Sequence, residues 1–188
     1  MGEWAMGEGE AGDGPAAGGP EVARDESDHA FDELFRSTYV RAVTVARRIV
    51  GDEAEAVAAE AFTRAYDRWP RLQDHPALDA WVLRVTINLA IDQSRRRHRA
   101  GMAPTSSAFD DETATRVALA AALRALPEKQ RQAIALRYLA DCEEATIATA
   151  LHIRPGTVKT HLKRGLERLR TQLGPDQELT DDAFRTAT

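Results

Sequence analysis

Cysteine is almost missing from this chain of 188 residues: Cys142 stands alone. A single thiol excludes an intrachain disulfide framework and any cysteine-rich zinc site, and it reads most simply as a small, semi-buried residue between two helices. No apolar run comes near the roughly 20 residues needed to cross a bilayer. The N-terminus lacks the basic and apolar segments of a secretory leader, so the expected location is cytoplasmic. The five histidines are scattered, and no His, Cys, Asp and Glu set has metal-ligand spacing. There is no glycine-rich phosphate loop and no base partner for Cys142. Together these absences argue against an enzyme and against a bound cofactor or metal. Convincing strand patterns and internal repeats are also missing.

What remains is helical periodicity. Length allows one ordinary domain or two small ones, and 43% hydrophobic content supports real cores. The net charge of −5 conceals a segregated pattern. Residues 1–30 hold eight acids and one Arg, and residues 174–188 hold four acids and one Arg. Between them lie two basic clusters, residues 84–99 with five Arg and one Asp, and residues 154–170 with six Lys or Arg and one Glu. Local field matters more than total charge for attracting a polyanion.

The second cluster carries the clearest signal. Residues 143–151 read as a short helix, His152, Ile153 and Arg154 as a tight turn, and Pro155 as the first residue of a longer helix, where its fixed φ and missing N–H cost nothing. Val158, Leu162, Leu166 and Leu169 form one buried stripe. Arg154, Thr157, Lys159, Thr160, Lys163 and Arg164 fall off it, towards solvent. This is the pattern of a helix-turn-helix that presents its second helix to a DNA major groove.

The rest of the chain falls into segments around that motif. Residues 1–28 are rich in Gly, Ala, Pro and Glu without periodicity and are expected to be a disordered acidic tail. A first helix follows over about 28–50 and stops at Gly51. Asp52 and Glu55 suggest a capping box for a second helix ending near Trp69, and a loop over 71–75 precedes a third helix over about 76–97. Residues 99–113 read as a flexible linker. Further helices are expected over 116–126 and from Glu128 to about Leu139. The tail 174–188 is acidic. The expected fold is all-α, with two small helical domains at 29–98 and 114–173.

LPEKQRQAIALRYLAD (126–141), TIATAL and PGTVKTHLKRGLERLR resemble region 4 of the extracytoplasmic-function (ECF) sigma factors, the small sigma subunits of bacterial RNA polymerase. FDELFRSTYVRAVTVARRIVGD (31–52), AEAFTRAYDRW (59–69) and AWVLRVTINLAIDQSRRRHR (80–99) resemble region 2 of the same family. The resemblance implies core RNA polymerase and promoter DNA as partners, and commonly an anti-sigma protein. It implies that Arg154, Thr157, Lys159, Thr160, Lys163 and Arg164 meet the minus-thirty-five element, by phosphate or base-edge contacts. It places Asn88, with Arg95, Arg96 and Arg97, at the melted minus-ten element, and assigns Glu55, Glu60 and Phe62 to the polymerase-binding helix. Ala56 and Ala59 stand where that family carries an acidic residue and Gln. The helix-turn-helix alone also fits a DNA-binding regulator that is no polymerase subunit, since LuxR-type regulators share it.

Overall fold

The computed structural model describes residues 20–100 and 111–173. Among them every regular element is helical: α1 (Pro20–Val50), α2 (Ala54–Tyr66), α3 (Trp69–Leu72), α4 (Leu78–Arg99), α5 (Asp111–Ala125), α6 (Glu128–Tyr138), α7 (Glu144–Leu151) and α8 (Pro155–Leu173). The all-α expectation holds. The helices of the first module, α1 to α4, pack mainly on one another, as do α6 to α8 of the second, whereas α5 packs on α1 and α4 more than on α6 and α8. The buried side chains of both nonetheless join in one continuous core. Most of the expected linker and residues 1–19 and 174–188 lie outside the described residues.

Three boundaries differ from expectation, each for a local reason. Helix α1 starts at Pro20 and so takes in residues 20–28, assigned by composition to the tail. Proline suits a first helical turn, and the end of this extension is tied down where Trp69 Nε1 donates to the Ser27 carbonyl at 2.9 Å. The capping box does not form. Gly51, at φ +67°, opens a short 3₁₀ turn (Gly51–Glu53) that leads into α2, and Glu53 occupies the N-cap without a side-chain hydrogen bond. The second helix breaks after Tyr66, and Trp69 and Pro70 begin the separate turn α3, so the expected loop at 71–75 is partly helical.

Burial explains why the first module holds together. Helix α2 turns Ala54, Val57, Ala58, Ala61, Phe62 and Ala65 inward, and small residues let α1 and α4 approach it closely. Phe62 is 3% exposed and meets Phe31, Phe35 and Tyr39 ring to ring. Edge-on aromatic pairs of this kind contribute beyond their buried area. In the second module α8 lays Val158, Leu162 and Leu169 into the core, with Leu166 half-buried. Gly165 permits the α8–α6 approach: a Cβ there would stand 2.8 Å from Ile134 Cγ1, a distance side chains do not tolerate.

Candidate nucleic-acid interface

Helix α8 begins where the sequence places it. Helix α7 ends with His152 in the left-handed region (φ 52°, ψ 48°), its N–H returning to the Thr149 carbonyl and the Ile153 N–H to the Ala148 carbonyl. This turn closes the carbonyl end of α7 and redirects the chain into Pro155. The amides of Thr157 and Val158 both turn back to the Arg154 carbonyl, so two first-turn donors that could have met a phosphate are already used.

Arg154, Lys159, Thr160, Lys163 and Arg164 are exposed and Thr157 is half-buried, all on the side of α8 away from its apolar stripe. Lys159 Nζ lies 3.9 Å from Glu144 at a well-exposed site, where solvent screening leaves an ion pair little strength. The Thr160 hydroxyl donates to the Gly156 carbonyl at 3.0 Å and keeps its lone pairs for a donor. Arg168, also basic, bonds Gln130 Oε1 at 3.2 Å and braces α8 against α6.

The second candidate surface follows α4. Arg95 and Arg96 are exposed near its C-terminal end. Arg97 is less available than its neighbours: it pairs with Glu53 at 3.4 Å and reaches the Val50 carbonyl. Asp92 is exposed and pairs with neither Arg95 nor Arg96 among the described residues. Asn88 is half-buried, and its Oδ1, fully shielded, has no hydrogen-bond partner in the described structure. An amide oxygen hidden without a donor costs free energy. Here it stands on the helix that also bears the arginines. Trp81 packs against the core, with the Arg84 guanidinium 6.0 Å from its ring centre.

On α2, Glu55, Ala56, Ala59 and Glu60 share the exposed face, with Glu55 3.6 Å from Arg47 and Glu60 2.8 Å from Arg64. Phe62 does not join them. It sits in the core, so its expected place on a docking surface is corrected to that of a packing residue behind the surface.

Local sequence reasoning missed a set of residues at the junction of the modules. Arg41 Nη2 donates to the Ala140 carbonyl at 2.6 Å and to Cys142 Sγ at 3.4 Å, while its Nη1 pairs with Asp79 at 3.1 Å. Arg48 reaches the Leu139 carbonyl at 3.3 Å, and Arg84 the Ala150 carbonyl at 2.7 Å. The rings of His75 and His152 meet edge to face at 5.6 Å. His75 Nδ1 accepts from the Ala77 N–H, and burial, then His152 and Arg84, hold its pKa below the ordinary histidine value. Burial pushes the Cys142 thiol pKa up, against the pull of Arg41, which fits an inert packing residue. No cluster of metal-ligating side chains and no helix long and apolar enough to cross a membrane occurs among the described residues.

Comparison with known proteins agrees with this geometry. Residues 34–100 match the family described as Sigma-70 region 2, and residues 116–169 match Sigma-70, region 4. The RNA polymerase sigma-E factor of Streptomyces coelicolor is 35% identical over 152 residues, covering 76% of this chain and 85% of the relative. The ECF RNA polymerase sigma factor SigW of Bacillus subtilis is 30% identical over 150 residues, 67% of this chain and 79% of that protein. A solved structure of CnrH in complex with the cytosolic domain of CnrY shares the fold, with a TM-score of 0.57 at 21% identity over 84% of this chain and 97% of that one. The chain belongs to the sigma-70 family and, within it, to the ECF RNA polymerase sigma factors.

Proposed function

We propose that this chain is a promoter-specificity subunit: it binds core RNA polymerase and directs initiation at a particular set of bacterial promoters. Sigma factors are non-enzymatic initiation factors, so no catalytic residue is assigned. The observation that carries the reading is the joint presence, in one chain and in family order, of both promoter-reading modules, the second with an exposed basic face on α8. A regulator that used the helix-turn-helix alone would have no need of the first module.

Within this reading Arg154, Thr157, Lys159, Thr160, Lys163 and Arg164 meet the minus-thirty-five element. Asn88 and the exposed Arg95 and Arg96 meet the minus-ten element, with Arg97 in a bracing role. Among the described residues the Asn88 Oδ1 has no donor of its own but is fully shielded, so in this reading it accepts from a base edge only once the cover over it moves aside. The exposed face of α2, with Glu55 and Glu60, is the polymerase-docking surface, supported from behind by Phe62. An anti-sigma protein is a further partner implied by the family, and the compartment is the cytoplasm, where polymerase works.

The test is co-elution with bacterial core RNA polymerase on gel filtration. Comigration in a stoichiometric complex is expected, with Glu60→Arg weakening it at least tenfold. Free elution of a folded, DNA-binding chain would move the assignment to the regulator class.

A further inference from the structure

One carboxylate ties the far end of α4 to the turn before α2. Gly51, in the left-handed region at φ +67°, opens the 3₁₀ turn that brings Glu53 against α4. Glu53 occupies the N-cap of α2, yet its side chain makes no capping hydrogen bond. Its oxygens turn to α4 instead: Oε2 accepts from Gln93 Nε2 at 2.9 Å, and Oε1 pairs with Arg97 at 3.4 Å. The Arg97 guanidinium also donates to the Val50 carbonyl at 3.4 Å, so the same turn is held at a second point. The Arg97 side chain is 20% exposed and that of Glu53 36%, so this charge-assisted pair is less screened than a fully solvated one.

The clamp lies behind the face that α4 offers to DNA. At about 100° per residue, Gln93 and Arg97 share one side of α4, while Asn88, Arg95 and Arg99 share roughly the opposite side. Arg95 and Arg99 are exposed there, and the exposed Arg96 flanks them. Arginines at 95, 96, 97 and 99 suit the negative end of the helix dipole but repel one another at close helical spacing. The last turn of a helix also frays, because its final carbonyls have no partner within it. A loose end would spread Arg95 and Arg99 over many positions. An end pinned from behind presents them in one register with Asn88, which reduces what binding has to order.

We propose that Glu53 is a positioning residue for the minus-ten surface: it pins Gln93 and Arg97 behind α4 so that Asn88, Arg95 and Arg99 meet the melted strand in one register. It acts through those two residues and does not itself touch the strand. The inference rests on the promoter-recognition reading for its consequence, while the clamp stands on the contacts themselves. The charge of Glu53 and its positioning work in opposite directions. Removing the carboxylate adds net positive charge beside the arginines, which strengthens attraction to any polyanion. It also frees the helix end, which weakens the register that sequence preference depends on. Glu53→Gln does both while keeping the shape. Its amide has one accepting oxygen, so Gln93 and Arg97 are no longer held on separate oxygens.

The test uses the full-length chain loaded on core polymerase and two labelled single-stranded oligonucleotides. One carries the minus-ten segment of the promoter this chain transcribes best, and the other has the same bases scrambled. Glu53→Gln should lower the ratio of the two affinities about fivefold. Affinity for the scrambled strand should hold or rise, with a salt dependence steeper by up to about 0.7 in slope. Arg97→Gln should lower the ratio similarly without the steeper slope, and the double variant should be no worse than either single one. Glu53→Asp, which keeps the charge on a shorter stem, should recover part of the ratio. In the free chain, Glu53→Gln should speed amide exchange at residues 95–99 several-fold and leave residues 80–90 protected, with neither DNA nor polymerase present. An unchanged ratio, an additive double variant or unchanged exchange at 95–99 would each overturn the proposal. So would an equal loss on both strands with protection lost along all of α4, which would make Glu53 a general stability residue. If the unsubstituted chain did not distinguish the two strands, the promoter reading would fall, with the exchange data still judging the clamp.

Discussion

Trp69→Ala should cost this chain about 3–5 kcal/mol of stability, the range for removing a buried large aromatic. Trp69 is 4% exposed, packs edge-on against Phe31 at 5.1 Å and donates Nε1–H to the Ser27 carbonyl. It thereby joins three elements: the turn α3, the aromatic cluster under α2 and the N-terminal part of α1. Thermal unfolding should show a fall in Tm of about 10 °C or more. Trp69→Phe keeps an aromatic ring at the site but loses the hydrogen bond and part of the buried indole, so it should cost less than Trp69→Ala, about 1–3 kcal/mol. A loss below about 1 kcal/mol for Trp69→Ala would mean that α3 is not anchored by this side chain.

The second large effect belongs to α8. Arg164→Ala or Lys159→Ala should weaken binding to the cognate minus-thirty-five duplex by about 1–3 kcal/mol if the side chain reads a base edge, with relaxed preference at one position. A residue that holds a phosphate should instead lose affinity equally on all sequences and reduce the salt dependence by about one unit of slope. Both side chains are exposed and, among the described residues, only Lys159 has an ion-pair partner, a distant Glu144, so little folding stability should change. Fluorescence anisotropy on a panel of single-base variants, repeated at several salt concentrations, separates the two roles. No change on any sequence would remove the residue from the interface.

The second module was almost wholly legible in the sequence because its signals are local. Pro155 marks a helix start, the Val158, Leu162 and Leu169 spacing marks a buried stripe, and both appear where expected. Phe62 shows where a motif can outrun the physics. Its spacing with Val57, Ala58 and Ala61 already predicts an inward side chain, and burial wins over the role carried across from the family pattern. The capping box failed because Gly51 takes a left-handed turn, and the 3₁₀ segment that follows moves the helix start past Asp52. The extension of α1 to Pro20 was hidden by a composition that suits a tail, since the bond that ties it down comes from Trp69, 42 positions away. The arginine contacts at the junction were not legible at all. Arg41 and Ala140 are 99 residues apart, and no periodicity or motif pairs a guanidinium with the carbonyl end of a distant helix.

The departure at Ala56 and Ala59 bears on function more than on fold. Both side chains are exposed on α2, so neither is needed for packing, and the acidic character of that face rests on Glu55 and Glu60. Each glutamate is already engaged with an arginine of its own module, Arg47 and Arg64. These surface pairs are weak and exchange readily, so a basic partner surface can compete for both carboxylates.

The most direct measurement is run-off transcription with purified core RNA polymerase and this chain over a library of promoter sequences. The account predicts initiation that depends on the chain and selects promoters sharing one minus-thirty-five and one minus-ten sequence. It also predicts that Asn88→Ala spares binding to the upstream duplex but impairs strand opening. Transcription that is unchanged by adding the folded chain, or stimulated without promoter preference, would contradict it.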